Sequence, residues 1–324
     1  MIGDGMMRHI SRREMLRQTA IVAASGLMHD CTREAWSSVS GPNIHFPTTA
    51  RERLAVSSWP FRGIIDAPGN AWARDRKLPG IDLKDFGTMV VREFGVHNIE
   101  PLDFHFRSTE PDYVRAVRES TDKAGARIIN IAVDLRDSYY DPGADRRSKA
   151  VEASRRWIEI AASAGSPSVR LHIAGTKTAK PDIARAVESL KKVAEYAAST
   201  GVVANLENDD NTTEDPFFIV EVLDGVNSPY LHALPDFCNS MLTHDKEFND
   251  RALEALFNHA YNIAHVKDSE VGEKGKLFTV DVAGCFEIAK ASGYRGYFSM
   301  EWEGAGEPYA GTRKLIDLSL KYLA

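Results

Sequence analysis

The chain has 324 residues, 43% of them apolar and 27% charged, with a formal net charge of −6. That length suits one large domain with an N-terminal extension, and the absence of a concentrated basic block excludes DNA or RNA as an expected partner. No apolar run reaches the ~20 residues of a membrane span, and Cys31, Cys238 and Cys285 show neither C-x-x-C spacing nor the number of thiols a disulfide framework needs.

In chain order, the first feature is Ser11-Arg12-Arg13-Glu14-Met15-Leu16, followed by a mildly apolar stretch from Gln18 to Met28. An arginine pair ahead of a short, weakly apolar run resembles a twin-arginine export signal. The resemblance implies the twin-arginine export machinery as a partner and a periplasmic location. The alternative is an amphipathic helix that carries two arginines, in a cytoplasmic protein. No Ala-x-Ala pattern follows the run. Residues 1–45 are read as signal and linker, and 46–324 as the catalytic domain.

From Arg53 onward, short apolar runs alternate with longer helical patterns. The expected strands are Leu54–Trp59, His97–Glu100, Arg127–Asp134, Ser168–His172, Val202–Glu207, Leu231–Asp236, Asn262–His265 and Gly296–Glu301. Several are near-continuous in Ile, Val, Leu or Ala, as strands buried on both faces are. Helical patterns cover Leu83–Phe94, Tyr113–Ala124, Ser148–Ala164, Ile183–Ala198, Phe217–Leu223, Arg251–Ala260, Val282–Ala291 and Thr312–Leu323. Gly95, Gly125, Gly165, Gly201 and Gly293 each stand just before a strand, where glycine readily takes the left-handed conformation that ends a helix. Eight such units predict an α/β fold, a single (β/α)8 TIM barrel. A doubly wound open sheet is the rival. It would carry a Gly-rich first turn, and no G-x-G-x-x-G follows the first strand.

In a barrel of this kind the working residues stand at the carboxyl ends of the strands. Each expected strand ends on a polar or aromatic side chain: Trp59, Glu100, Asp134, His172, Glu207, Asp236, His265 and Glu301. Four of these sit in distinctive segments: Asn205-Leu206-Glu207-Asn208, Leu234-Pro235-Asp236-Phe237, Ala264-His265-Val266-Lys267-Asp268 and Ser299-Met300-Glu301-Trp302. They lie about 30, 30 and 36 residues apart, one barrel unit each. Three carboxylates and one imidazole suit one divalent ion of intermediate hardness: Mn²⁺, Mg²⁺, Co²⁺ or Zn²⁺. A lone strand-end Glu is more often solvated and a lone His more often a core hydrogen-bonder, but four in register point to one site.

These four segments make the chain resemble the xylose-isomerase-like sugar phosphate isomerase/epimerase family. The resemblance implies that Glu207, Asp236, His265 and Glu301 hold the metal and that Glu207 and Glu301 are the proton-transfer pair. Lys267 follows the histidine in the family's H-x-K-D pattern and is expected to reach substrate oxygens. Asn239 stands where relatives often place a histidine. His172 and Arg170 at the fourth strand, Glu100 and His105 after the second, and Trp59 with Phe61 at the first are further substrate candidates. Their alternative roles are second-layer hydrogen bonding and packing. The missing histidines, Asn239 among them, argue against a three-zinc nuclease. No glycine or arginine run marks a phosphate clamp, so a non-phosphorylated carbohydrate is the expected substrate, and a homo-oligomer is an allowed assembly.

The chemistry so implied is metal-assisted proton abstraction next to a ketose carbonyl through an enediolate, as in a sugar isomerase or epimerase. Two rivals use the same site: a lyase or hydratase acting on 3-keto sugars or glycosides, and a sugar-binding barrel without turnover. The loop Gly272-Glu273-Lys274-Gly275-Lys276 reads as a flap or as a solvated loop. Asp215, with Glu214, is expected to open a helix, with Thr212 or Thr213 as its cap.

Overall fold

A computed structural model describes residues 40–72, 80–209, 215–272 and 275–324. The arginine-pair segment and Cys31 therefore lie outside the described residues. One compact unit spans Gly41–Ala324.

The barrel strands are short. They are β1 (Leu54–Ser57), β2 (Asn98–Glu100), β3 (Arg127–Ile128), β4 (Ile131–Ala132), β5 (Ser168–Leu171), β6 (Val203–Glu207), β7 (Leu231–Leu234), β8 (Ile263–Val266) and β11 (Tyr297–Met300), and a hairpin of β9 (Ser269–Val271) and β10 (Leu277–Thr279) lies between the last two. β1, β5, β6, β8 and β11 are buried at every residue, as strands covered on both faces are, so polar members such as Ser168, Arg170 and Asn205 are enclosed with the apolar ones. Each aliphatic side chain so enclosed stabilises the fold by about 1.5–3 kcal/mol.

All barrel pairings are parallel. One sheet has the order β3-β2-β1-β11-β8 and the other β4-β5-β6-β7. Single bridges join the two sheets, Leu102 with Ala132 on one side and Ala233 with Ala260 and Asp236 with His265 on the other. The ring thus closes as a barrel of eight positions, the third being shared by β3 and β4. The sequence reads Arg127–Asp134 as one strand, whereas pairing is interrupted at Ile129 and Asn130.

Among the described residues eight helices wrap the ring: α1 (Leu83–Phe94), α2 (Pro111–Lys123), α3 (Ala144–Ala164), α4 (Ile183–Thr200), α5 (Pro216–Val226), α6 (Lys246–Phe257), α7 (Val282–Ala291) and α8 (Pro308–Leu323). Aspartates open five of them, with Asp82, Asp182, Asp215, Asp245 and Asp281 each accepting a first-turn backbone N–H. Such caps satisfy donors that have no partner within the helix, at about 1 kcal/mol each. Asp215 itself is the cap of α5, in place of the expected threonines, which lie outside the described residues. Gly95, Gly125, Gly165, Gly201 and Gly293 all have φ between +60° and +77°, as the punctuation of the sequence predicts. No described helix is long and apolar enough to cross a membrane.

The segment before β1 belongs to the compact unit. Ile44 and Phe46 pack on a core cluster of Ala55, Ile129, Leu234, Ile263 and Tyr297, and the Tyr261 hydroxyl donates to the carbonyl of Pro42 at 2.9 Å.

Candidate active site

Four barrel positions deliver one cluster. Glu207 ends β6, Asp236 lies two residues past β7, His265 sits within β8, and Glu301 follows β11. All four are buried, and each places one ligand atom within 4.8 Å of the other three. The sequence-predicted set therefore meets in space.

The imidazole of His265 organises the cluster. Nδ1 lies 2.7 Å from Glu207 Oε1 and 3.1 Å from Glu301 Oε2. Nε2 points the other way, 3.0 Å from each oxygen of Glu100. Glu100 in turn accepts from Asn130 Nδ2 at 2.7 Å. Asn130 Oδ1 accepts from the Ser168 hydroxyl at 2.6 Å, and Ser168 accepts from Asn262 Nδ2 at 2.8 Å. A buried line of hydrogen bonds thus fixes the carboxylate that fixes the ring.

Asp236 is held by its own backbone turn. Oδ1 accepts from the N–H groups of Cys238 and Asn239, both at 2.7 Å. Its main-chain N–H donates to Asn208 Oδ1 at 3.0 Å, so the residue after Glu207 positions the next ligand candidate. Oδ2 is buried without a hydrogen-bond partner and has Lys267 Nζ at 3.5 Å.

Lys267 is an internal cation. Its ammonium donates to Asn239 Oδ1 at 2.8 Å and lies 2.9 Å from Glu303 and 3.1 Å from Glu270. Arg170 is the second. Its Nε is 2.7 Å from Glu207 Oε2, and its Nη1 is 2.7 Å from Asp134 Oδ1.

These charges decide the protonation of the cluster. Burial pushes the Asp236 carboxyl up to about 7, against the pull of Lys267. Burial likewise raises Glu207, outweighing the attraction of His265 and Arg170. Glu301 is also penalised by burial, yet His265 and Lys267 hold it below the usual carboxylate range. Burial would lower His265, but Glu100, Glu207 and Glu301 raise it well above its ordinary value. The carboxylates around the imidazole thus favour positive charge at the centre of the cluster.

The cluster opens into a cavity of about 150 Å³, lined by Trp59, Asp134, Arg170, Lys267, Asn239 and Glu303 among others. Trp59 forms a wall under Arg62, whose guanidinium lies 4.2 Å from the ring centroid. Other candidates from the sequence sit elsewhere. Glu100 stands behind His265 and does not line the cavity. His105 bonds Ser58 Oγ through Nδ1 at 2.7 Å, and burial with the nearby Arg62 pushes it down to about 3, so it is neutral. Phe61 packs on Phe86 and Tyr309. His172 borders Asp209 at 3.9 Å.

Glu270, Glu303 and Asp209 are additions that strand-end reasoning misses. Asp209 and Glu303 lie two residues beyond Glu207 and Glu301, the spacing that returns a side chain to the same side of extended backbone. Glu270 lies on β9 of the β9–β10 hairpin, whose strands flank the segment 272–276 read from the sequence as a flap or loop; Glu273 and Lys274 lie outside the described residues.

The comparisons with known proteins agree with this architecture. None of the curated proteins matches the sequence. A Mycobacterium smegmatis xylose isomerase-like TIM barrel protein, solved in complex with magnesium, is similar with a TM-score of 0.63 at 16% identity, over 85% of this chain and 99% of that one. A Methylomonas D-allulose 3-epimerase in complex with D-allulose gives 0.62 at 14% identity, over 86% and 98%. The 3-keto-D-glucoside 4-epimerase of E. coli gives 0.60 at 16%, over 84% and 98%. At these identities the likeness establishes the fold. The family model described as "Xylose isomerase-like TIM barrel" matches residues 90–323, and the chain belongs to that family.

Proposed function

We propose that this chain is a metal-dependent sugar isomerase or epimerase that moves a proton next to a ketose carbonyl. The observation that carries the reading is the approach of Glu207 and Glu301 to the same nitrogen of His265, with Asp236 beside them.

The residues fit a divalent cation. Three carboxylates and one imidazole nitrogen form a borderline-hard donor set. Asp236 Oδ2 is buried without a hydrogen-bond partner, with only the Lys267 ammonium at 3.5 Å, an under-satisfied acceptor that a coordinated ion would complete. Glu207, Asp236, His265 and Glu301 would hold the ion, which would polarise a carbonyl oxygen and stabilise negative charge developing there.

The protein groups supply the rest. Glu207 and Glu301 flank the cavity floor and are suited to take a proton from one face of a carbon and return one to the other. Glu100 keeps His265 Nδ1 facing the cluster. Lys267 and Arg170 offer fixed positive charge to substrate oxygens, and Trp59 offers a flat apolar wall. At the mouth the buried indole N–H of Trp59 lacks a partner, which suits a polyhydroxylated ligand. The solved epimerases of the same fold support this class of substrate.

The test is a screen of free ketoses and 3-keto glycosides in heavy water with the Mn²⁺-loaded chain. The expected result is solvent deuterium at the carbon next to the carbonyl and a product of otherwise unchanged composition. A cleaved or unsaturated product would replace epimerisation by elimination, and binding without exchange would remove catalysis altogether.

A further inference from the structure

A second group of metal-ligating side chains converges at the mouth, outside the four-residue cluster. Asp134 lies just past β4, His172 just past β5 and Asp209 just past β6. One ligand atom of each lies within 4.8 Å of the other two.

His172 is the informative member. It is only 8% exposed, and its Nε2 lies 2.9 Å from the carbonyl oxygen of Leu135. A carbonyl only accepts, so Nε2 carries a proton, and in that tautomer Nδ1 presents a lone pair. That Nδ1 is buried without a hydrogen-bond partner and faces Asp209 Oδ2 at 3.9 Å. Acceptor groups gathered this closely are unfavourable unless a cation or a donor lies between them.

The nearby fixed cation serves the two carboxylates but not the imidazole nitrogen. Arg170 Nη1 is bonded to Asp134 Oδ1 at 2.7 Å, stands 3.7 Å from Asp209, and Nε serves Glu207.

We propose that Asp134, His172 and Asp209 form a second divalent-cation site, distinct from the cluster around His265. One imidazole nitrogen with two carboxylate oxygens suits an ion such as Zn²⁺ or Mn²⁺. The Asp134 and Asp209 side chains are 41% and 43% exposed, so the outer coordination positions open to solvent or to a substrate oxygen. Arg170 touches Glu207 of one site and Asp134 of the other, which places the two sites side by side.

The test counts metal bound to the full chain after chelator treatment, by equilibrium dialysis with Mn²⁺ and separately with Zn²⁺. Two equivalents are expected in the wild type. His172→Gln and Asp209→Asn should each keep one, and Asp236→Asn should keep the other. Asp209→Asn alters a half-exposed side chain, so the result stands even if His172→Gln fails to fold. One equivalent in the wild type, retained in Asp209→Asn and lost in Asp236→Asn, overturns the second site and leaves His172 Nδ1 to a substrate hydroxyl. An equivalent lost in Asp209→Asn with none lost in Asp236→Asn keeps the second site and removes the first.

Discussion

Glu100 presents both carboxylate oxygens to one nitrogen of His265, each 3.0 Å from Nε2. The contact fixes the ring plane and leaves Nδ1 no direction but toward Glu207 and Glu301. Glu100→Gln removes the charge while conserving shape. We expect metal affinity to fall about 10- to 100-fold, the usual effect of losing such an outer partner. Calorimetric titration with Mn²⁺ measures it, and an unchanged affinity would show that the ring is held by other means.

Glu207→Gln and Glu301→Gln should each lower deuterium exchange on the ketose identified by the screen, by about 10²- to 10⁴-fold, the range for a lost general acid or base. Metal content measured alongside separates loss of the ion from loss of the proton acceptor. Exchange persisting in both variants would take the pair out of the chemistry.

Asp103 links pH to stability. Its folded carboxyl titrates near 6 because of burial and next Asp134, against an ordinary value of 3.8. The native state therefore holds this proton more tightly than the unfolded chain does. Stability from this group falls as pH rises from about 4 to 6 and stays low above that. Asp103→Asn cannot ionise, so it should gain on the order of 1–3 kcal/mol over the wild type at pH 7.5 and little at pH 4. Urea unfolding of the metal-free proteins at the two pH values checks the sign; a larger gain at pH 4 would refute it.

Gly311 opens onto the Trp302 indole. A Cβ added there would lie 2.2 Å from the ring, and one added at Gly304 would lie 2.8 Å from its Nε1. The indole is wedged between these two glycines, one residue after Glu301. Gly311→Ala should cost about 1–3 kcal/mol by overpacking and reduce turnover by moving Glu301. A thermal melt and an exchange assay together test this. A melt unchanged from the wild type would mean that the ring yields freely.

The eight units are legible in the sequence because the barrel forces two signals into the chain, apolar runs buried on both faces and glycines that must turn left-handed. The convergence of Glu207, Asp236, His265 and Glu301 is legible for a related reason, since each stands at or near the end of such a run. Strand-end position alone sends Glu100 to the cavity side, because it says nothing about depth; only the bond to Nε2 of His265 turns it inward. Glycine punctuation is absent at the end of α5, where Asn227 takes φ +50° instead, so that stop offers no glycine to find. The β9–β10 hairpin escapes sequence reasoning because Gly272 and Gly275 suggest mobility, whereas Leu277-Phe278-Thr279 pairs back on Ser269-Glu270-Val271. That pairing brings Glu270 to Lys267, a contact no spacing rule announces.

The ring has a seam where its two sheets meet, and the main chains of Asp236 and His265 bridge it directly. His265 N–H donates to Pro235 O at 3.0 Å, and Phe237 N–H donates to His265 O at 3.2 Å. An ion gripped by the side chains of these same two residues would rivet the join from above. Cofactor loading and closure of the cylinder would then be one event, and chelation should first free the amides of Phe237 and His265 to hydrogen exchange.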